Sequence, residues 1–375
     1  MTARILSLAT AVPPTRVAQT RIRDFLTSQP GTDRLSQRLI HASFDAAAID
    51  YRHTVLTQLG DATAEPAGGG SAHRGPDFVV DEQLLIPSTG TRNDVYTAVA
   101  PDLSARAAAH AIAEAHVNAE DITHVVTVSC TGFFAPGPDY RLVRDLGLAA
   151  TVERYHLGFI GCAAAIPALR LAARITSAQP DAVVLVVCAE LCTLHVRASN
   201  DPQQIVAASV FADGAGAAII SARPELRSRG GLDMERFATT LTGQGESDMV
   251  WTIGDAGFEM TLSAEVPRII GREIRGAVDA FLGPEVRPDA WAVHPGGRSV
   301  LDRVETGLDL TPNAIDTSRA VLRQYGNMSS ATLLFILREM LHDEEIRDGD
   351  SVCALAFGPG LTVESALLTK RSATP

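Results

Sequence analysis

The stretch Gly161-Cys162-Ala163-Ala164-Ala165 begins a run of small and apolar residues with helical period that continues to Ile175. Apolar runs rich in β-branched residues, His124–Cys130 and Val183–Cys188, lie on either side of it. Continuous apolar runs of this length are typical of strands that are buried on both faces. The order strand, helix, strand therefore predicts an α/β fold in which helices cover a largely buried sheet.

The same alternation extends over most of the chain. Further strand-like runs lie at Ile5–Ala9, Ala215–Ile220, Ala290–His294 and Ser351–Phe357. Further segments of helical period lie at Leu103–His116, Pro267–Phe281, Ser318–Tyr325 and Ser330–Leu341. Regular alternation of this kind favours a layered α/β architecture.

A second segment has the layout of the first. Gly326-Asn327-Met328-Ser329-Ser330-Ala331 also places a polar side chain directly after a glycine at the start of a predicted helix. Two capped helices explain both segments, since Asn and Ser are ordinary N-cap residues. The alternative is a duplicated fold whose halves, residues 1–221 and 222–375, aim both polar groups at one cleft. We expect the glycine-rich stretch Gly60–Pro76 to be a flexible surface insertion in the first half.

The composition excludes several classes of function. The chain has 375 residues and a formal net charge of −12, which argues against a nucleic-acid partner because phosphate contacts need a basic face. Lys370 is the only lysine, so an anion site must use arginine or backbone N–H groups. The longest apolar run, Ala182–Ala189, is too short to span a membrane. The five cysteines lie in apolar runs without disulfide-like spacing, which predicts free thiols and a cytoplasmic protein.

Three residues have a local setting suited to catalysis, and each also has a structural explanation. Cys162 lies at a predicted helix N-terminus, where the helix dipole favours a thiolate, but a buried structural cysteine fits the same pattern. His294 ends an apolar strand before Pro295-Gly296-Gly297, a position from which an imidazole commonly faces a cleft. Asn327 can either cap its helix or donate its amide N–H to an oxyanion.

Two other observations bear on function. The loop Phe357-Gly358-Pro359-Gly360 after the last predicted strand is either a plain turn or a pocket wall close to a ligand. A cysteine followed by His and Asn also fits a papain-type protease, whose spacing between Cys and His is similar. We discount the protease because its Cys-Gly-Ser-Cys-Trp signature is missing and Cys162 lies in the middle of the chain.

Six motifs follow one another along the chain: Gly161-Cys162, Val187-Cys188-Ala189-Glu190, Phe211-Ala212-Asp213-Gly214-Ala215, His294-Pro295-Gly296-Gly297, Tyr325-Gly326-Asn327-Met328-Ser329-Ser330 and Phe357-Gly358-Pro359-Gly360. Their order resembles that of type III polyketide synthases, the chalcone synthase-like family with the thiolase fold. The resemblance covers most of the chain after the first quarter and is weaker before it. The run Glu190-Leu191-Cys192 is most similar to bacterial members.

The resemblance implies a thiolase-like, five-layered αβαβα fold of two similar halves, working as a homodimer. It also implies a catalytic triad of Cys162, His294 and Asn327. In such enzymes a cysteine thiolate paired with an imidazolium takes an acyl group from a coenzyme A thioester, and malonyl-CoA loses CO2 to give the enolate that extends it. We therefore expect alkylpyrones, alkylresorcinols or related phenols as products, with no metal or other cofactor.

The resemblance further implies a set of pocket residues. Phe211 matches a gatekeeper, Met260 replaces a second one, and Cys192 and His195 replace threonines of the cavity wall. Arg52 matches one of several basic residues that bind coenzyme A phosphates, but alanines and an aspartate surround it here. Delivery of the starter by an acyl carrier protein is therefore an alternative. The complete set of pocket residues is Phe211, Met260, Cys192, His195, Gly358, Pro359 and Arg52.

Two other functions stay open at this point. A ketoacyl synthase that performs a single condensation uses the same three catalytic residue types, although the Gly-Asn-Met-Ser-Ser and Phe-Gly-Pro-Gly motifs fit polyketide synthases better. A non-catalytic thiolase-fold partner would only bind acyl chains, although such subunits usually lose the nucleophile, and Cys162 is present.

Overall fold

The structure is a computed structural model that describes residues 2–60, 77–283 and 285–373. Apart from Gly60, the expected insertion Gly60–Pro76 lies outside the described residues. The strands are β1 (Arg4–Ala11), β2 (Thr15–Ala18), β3 (Tyr51–Thr54), β4 (Val79–Val80), β5 (Gln83–Leu84), β6 (His124–Ser129), β7 (Glu153–Gly158), β8 (Val183–Leu191), β9 (Asp213–Ser221), β10 (Gly231–Leu241), β11 (Met249–Gly254), β12 (Gly257–Leu262), β13 (Ala290–Val293), β14 (Ser351–Gly358) and β15 (Thr362–Arg371). The helices are α1 (Gln19–Thr27), α2 (Arg34–Ala46), α3 (Thr89–Ala115), α4 (Pro138–Asp145), α5 (Ala165–Ala178), α6 (Pro202–Val210), α7 (Pro224–Arg227), α8 (Val266–Leu282), α9 (Arg298–Gly307), α10 (Asp316–Tyr325) and α11 (Ala331–His342).

One nine-stranded sheet runs through the molecule in the order β13-β14-β15-β10-β1-β9-β8-β6-β7. The apolar runs seen in the sequence form its interior, since every residue of β6, β8 and β9 is buried. Strands covered on both faces need continuous rather than alternating hydrophobicity, which these runs supply. The predicted strands and helices are thus confirmed, with most boundaries shifted by a few residues, but α3 begins at Thr89 rather than at the predicted Leu103.

The two halves of the chain repeat one topology. In the first half, β1-β9 and β9-β8 pair antiparallel and β8-β6 pair parallel. In the second, β10-β15 and β15-β14 pair antiparallel and β14-β13 pair parallel. The connecting helices correspond as well, with α3 and α5 in the first half and α8 and α11 in the second. The suggestion of two similar halves, made from two short segments, is confirmed.

Three hydrophobic clusters define the layers. The central cluster joins α5 and α11 to strands of both halves. A second cluster packs α3 on the outer face of the first half, and a third packs α8 and α9 on the outer face of the second. The strands of the first and second halves of this one sheet pack against the central helices α5 and α11, so the layers are helix, sheet half, helices, sheet half and helix, which confirms the predicted thiolase-like αβαβα order.

The halves meet where β1 pairs with β10, at Arg4↔Asp233 and Ile5↔Leu232. The Arg4 guanidinium donates to both carboxylate oxygens of Asp233, at 2.7 and 3.0 Å. Arg371 of β15 donates to the same carboxylate at 3.0 Å. Burial raises the pKa of Asp233, but these hydrogen bonds outweigh it and leave the pKa below its usual range. A buried ionic cluster thus fixes the seam between the halves.

Candidate active site

Cys162 and Asn327 lie at corresponding points of the two halves. Cys162 belongs to the 3-10 turn Gly161–Ala163 that precedes α5, and Asn327 precedes α11. Because α5 and α11 share the central layer, their preceding turns meet, and Cys162 Sγ lies 4.0 Å from Asn327 Oδ1. The two segments that looked alike in the sequence therefore aim their polar groups at a common point.

The loop after β14 supports the Cys162 turn. Gly161 has a φ of +73°, and a Cβ there would lie 2.4 Å from Pro359 Cδ. A Cβ on Gly358 would lie 2.9 Å from the carbonyl oxygen of Ile160. Glycine is needed at both positions so that backbone and proline can pack this closely. Gly358 and Pro359 thus fix the position of the nucleophile turn, and Pro359 also lines the adjoining cavity.

The charge state of Cys162 differs from the expected thiolate. Burial raises the pKa of its thiol to about 11, although hydrogen bonds with Ser329 and Asn327 act in the opposite direction. The full helix begins only at Ala165, so Cys162 precedes the first turn, where the dipole acts most strongly. The resting side chain is therefore a neutral thiol.

His294 follows β13 and has no exposed surface. Neither of its ring nitrogens has a hydrogen-bond partner within the described residues. Burial lowers the pKa of His294 to about 3, so the imidazole is neutral. Burial of both groups thus disfavours the expected imidazolium–thiolate pair, whose charge state stays a prediction. A neutral imidazole with a free lone pair can instead accept a proton from a thiol.

The amide of Asn327 lies between Cys162 and the turn that follows His294. Its Oδ1 accepts a hydrogen bond from the Ser329 N–H at 2.8 Å, and its Nδ2 donates to the Gly296 carbonyl, in the turn after His294, at 3.3 Å. One N–H of this amide remains for another acceptor. The backbone of Asn327 also forms a parallel bridge with that of Phe211.

Cys162 opens onto a cavity of about 960 Å³, counting its mouth. His294, Asn327 and Gly358 are not part of its lining. Apolar residues from distant elements, including Ile22 and Leu59, extend the wall. Of the predicted residues, the lining contains Cys162, Phe211, Met260, Cys192, His195, Pro359 and Arg52.

His195 lines the cavity with its imidazole ring, and both ring nitrogens are bonded to protein backbone groups. Its Nδ1 accepts from the Phe258 N–H at 3.0 Å, and its Nε2–H donates to the Thr131 carbonyl at 2.8 Å. Its ring stacks on Phe258 with centroids 4.2 Å apart, and Trp251 packs edge-on. Burial lowers the pKa of His195 to about 4, which keeps it neutral. Both ring nitrogens of His195 are thus bonded to protein backbone groups rather than available to a ligand.

Arg52 lies inside the protein rather than at an exposed entrance. Its Nη1 donates to the carbonyls of Ala208 and Phe211, both at 2.7 Å. Its Nε and Nη2 have no partner among the described residues. Burial lowers the pKa of Arg52 to about 9, while the charge of Asp213 acts in the opposite direction. This geometry differs from that of an exposed phosphate-binding arginine and ties Arg52 to the Phe211 segment.

Sequence reasoning missed the role of Glu190. This carboxylate is fully buried in β8 and accepts hydrogen bonds from Ser330 Oγ at 2.6 Å, Thr131 Oγ1 at 2.9 Å and the Cys130 N–H at 3.0 Å. Burial raises its pKa. It thereby joins the turn before α11 to the end of β6. A lone carboxylate in an otherwise apolar strand was the available signal, because such a group needs buried partners.

The hairpin of β11 and β12 was also missed. Met249 and Trp251 of β11 and Phe258 and Met260 of β12 line the cavity. Their alternation with outward residues is the ordinary pattern of a half-covered strand, and glycines bound the turn between them. Met260 was identified in the sequence, but without the strand that carries it.

The described residues form neither a metal-ligand cluster nor a membrane-spanning helix. No three His, Cys, Asp or Glu side chains among them are grouped so that they could hold a metal ion. No helix in the described ranges has the length and apolar character needed to cross a bilayer.

Comparison with protein families gives matches over nearly the whole chain. The family model "Chalcone and stilbene synthases, N-terminal domain" matches residues 1–224. The model "Chalcone and stilbene synthases, C-terminal domain" matches residues 234–372.

Individual proteins agree with this result. Bisdemethoxycurcumin synthase of Oryza sativa subsp. japonica is 32% identical over 387 residues, covering 98% of this chain and 92% of that protein. Probable polyketide synthase 1 of Dictyostelium discoideum is 28% identical over 97% of this chain, which spans only 11% of that much longer protein. The crystal structure of PKS-I from the brown alga Ectocarpus siliculosus superposes with a TM-score of 0.91 at 29% identity, covering 98% of both chains.

Proposed function

Because this chain belongs to the chalcone and stilbene synthase family of type III polyketide synthases, we propose that it loads an acyl group on Cys162, extends it with malonyl-CoA and releases a cyclised product. The observation that carries the proposal is the 4.0 Å approach of Asn327 Oδ1 to the Sγ of Cys162, which lines the cavity. The buried His294, whose ring nitrogens have no partner among the described residues, completes the proposed triad.

In the loading step, His294 acts as the base. Burial favours a neutral thiol and a neutral imidazole, so the proton moves from Cys162 to His294 as the sulfur attacks the acyl carbonyl. The C–S bond to coenzyme A breaks, and the departing thiolate takes the proton from the imidazolium. An acyl-Cys162 thioester and a neutral His294 remain.

In the extension step, His294 and Asn327 act as donors. When malonyl-CoA loses CO2, the electron pair of the broken C–C bond forms an enolate whose oxygen needs hydrogen bonds. The neutral imidazole carries one N–H, and Asn327 has one amide N–H that Gly296 does not use. The enolate carbon then attacks the acyl-Cys162 carbonyl, and the thiolate leaves, ready for the next round.

The cavity lining favours an apolar starter. Ile22, Leu59, Met249 and Met260 contribute hydrocarbon surface to it, and His195 contributes a ring face. An acyl chain gains free energy when it leaves water for such a surface. We therefore propose a fatty acyl starter and an alkylpyrone or alkylresorcinol product, with delivery from coenzyme A or from an acyl carrier protein.

A second copy of the chain is the proposed partner. Strand β7 forms one edge of the nine-stranded sheet, and its outward residues are exposed. Next to it, Phe133 is 49% exposed, Phe159 38% and Ile160 36%. A sheet edge beside exposed aromatic groups is a surface that a symmetric dimer would cover.

Mass spectrometry of reaction products tests the function. Purified protein is incubated with malonyl-CoA and acyl-CoA starters of two to sixteen carbons, beside Cys162→Ala. We expect pyrones or resorcinols from the wild type alone. A product of a single condensation would instead identify a ketoacyl synthase. Absence of any Cys162-dependent product, also with acyl-carrier-protein substrates, would identify a non-catalytic partner.

Decarboxylation tests the role of His294. We expect His294→Ala to lose release of CO2 from malonyl-CoA, since the enolate then lacks a donor. If that variant released CO2 at the wild-type rate, the assigned role would be wrong.

A further inference from the structure

The hairpin of β11 and β12 is a cavity wall that does not belong to the main sheet. It forms a two-stranded sheet of its own, in which Trp251 lies directly opposite Met260. An isolated two-stranded hairpin is marginally stable in water. Contacts with the rest of the protein must therefore hold this wall at its distance from Cys162.

The tip of the hairpin is attached to the N-terminus of α3. The Thr89 N–H donates to the Asp255 carbonyl at 2.8 Å. The Thr89 hydroxyl donates to the Gly254 carbonyl and accepts from the Gly257 N–H at 2.8 Å. One threonine thus bonds to three backbone groups of the turn.

Arg92, one helical turn further along α3, holds the adjoining wall. Its Nη1 donates to the carbonyls of Leu194 and Val196, and its Nε donates to the Pro87 carbonyl at 3.0 Å. Its side chain packs so tightly against Gly257 that a Cβ there would lie 2.9 Å from Nε. Arg92 is fully buried and is not among the residues that line the cavity.

These contacts converge on the aromatic wall of the cavity. Leu194 and Val196 flank His195, whose ring stacks on Phe258 of the hairpin. The Phe258 N–H also donates to His195 Nδ1. Because Thr89 fixes the hairpin tip and Arg92 fixes the His195 segment, α3 sets the position of both partners in this stack.

We propose that Thr89 and Arg92, here called the latch, are positioning residues that set the width of the cavity and so its selectivity for chain length. The proposal rests on the proposed polyketide synthase function, because selectivity for chain length is measured from the products of that reaction. Loss of the latch lets the hairpin move away from His195, which widens the cavity and favours longer starters or longer products.

Competition between starters tests the latch. Thr89→Val keeps the shape of the side chain but removes the hydroxyl that bonds to the hairpin turn. Arg92→Lys keeps the positive charge but removes the guanidinium that donates to three backbone carbonyls. We expect each variant to shift the ratio of kcat/KM for long over short acyl-CoA starters by about tenfold, the effect of roughly one methylene of extra space. Equal losses for all starters would overturn the proposal.

Ser88→Ala is the matched control. Ser88 caps α3, and its Oγ accepts from the Thr91 N–H at 3.2 Å without contacting the hairpin. This variant weakens the same helix end by removing a cap. We expect lower thermal stability with an unchanged starter ratio. A shift like that of Thr89→Val would mean that any weakening of α3 has this effect, and the specific role of the latch would be refuted.

Fluorescence of Trp251 tests the latch without catalysis. The chain has two tryptophans, so Trp291→Phe leaves Trp251 as the sole tryptophan, which is excited selectively at a wavelength that tyrosine does not absorb. Trp251 packs against His195 and Phe258. In this background we expect Thr89→Val to red-shift the emission and increase acrylamide quenching, and Ser88→Ala to change neither. Unchanged emission would refute the latch, whereas absence of polyketide products from the wild type would refute only the proposed function.

Discussion

At the scale of single residues, Cys162 shows burial and a helix dipole acting on one thiol in opposite directions. The rise in the pKa of Cys162 from 9.0 to about 11 corresponds to about 3 kcal/mol. A helix N-terminus contributes about 0.3–1 kcal/mol, and mainly in the first turn, which Cys162 precedes. Burial is therefore the larger effect, and the proposed chemistry needs His294 as a base.

The charge state of Cys162 can be measured by alkylation. Below its pKa, the thiolate fraction rises about tenfold for each pH unit. We therefore expect the rate at which iodoacetamide modifies Cys162 to increase steadily from pH 6 to pH 10, measured by mass spectrometry of the Cys162 peptide. An alkylation rate that stops increasing near neutral pH would contradict this expectation. If His294→Gln then restored the steady increase with pH, Cys162 and His294 would form an ion pair in the resting protein.

At the scale of elements, the turn before α5 depends on the loop after β14. Gly161→Ala places a Cβ against Pro359 at a φ of +73°, which costs about 1–3 kcal/mol and displaces the nucleophile. We expect kcat to fall about 100-fold, the typical effect of a displacement of about 1 Å. Product formation and thermal unfolding measure the two effects.

Gly147→Ala is the control for backbone strain. Gly147 has a φ of +64°, and a Cβ at this position would have no neighbour within 4 Å. The variant should lose a similar amount of stability with no loss of kcat per folded molecule. If both variants lost kcat equally, contact with Pro359 would not position Cys162.

Some elements of the fold could be predicted from the sequence and others could not. Buried strands such as β8 were predictable from a continuous apolar run, and small-residue helices such as α5 from a helical period. The ordered motifs predicted most of the named residues that line the cavity, among them Cys162 and Phe211. The hairpin of β11 and β12 was missed because its short alternating strands have weak local signals. The neutral state of His294 was missed because burial arises from the whole fold, not from neighbouring residues.

The division into residues 1–221 and 222–375, and the roles of the site residues, stay predictions. The structure brings Cys162 and Asn327 together, but contact alone does not test catalysis. The role of Arg52 also stays a prediction. Its match to arginines that bind coenzyme A phosphates gave no sign that its guanidinium is buried.

At the scale of the whole molecule, the seam between the halves is sensitive to acid. The pKa of Asp233 is lower in the folded protein than in the unfolded chain. Its ionised carboxylate therefore stabilises the fold at pH values above the pKa of the unfolded state, and this stabilisation is lost as the pH falls through the pKa of the folded state. We expect Asp233→Asn to lower the free energy of unfolding by about 3–5 kcal/mol at pH 7, since Arg4 is left buried and unpaired. The difference should shrink as the pH falls below about 4, because the unfolded carboxylate takes up a proton there while the folded one is still ionised.

Urea unfolding at pH 3 to 7 measures this difference. Asp289→Asn is the control, because hydrogen bonds from Ser351 lower the pKa of Asp289 at an exposed site away from the seam. A constant difference between Asp233→Asn and the wild type at every pH would contradict the role of the ionised seam.

The proposed dimer makes a further prediction at this scale. Phe159→Asp places a charge on the exposed aromatic surface beside β7 and should convert the dimer to a monomer, measured by light scattering after size exclusion. Leu35→Asp is the control, since Leu35 is 75% exposed on α2, away from that edge. A wild type that is monomeric at micromolar concentration would refute the dimer itself.

The pairing of β1 with β10 has a consequence for biosynthesis. Arg4 leaves the ribosome long before Asp233, its partner 229 residues later. At a synthesis rate of about 5–20 residues per second, β1 waits roughly 10–50 s before its neighbour exists. Until then the β10 side of this apolar strand has no partner strand, so we expect folding during translation to depend on chaperones or transient contacts there.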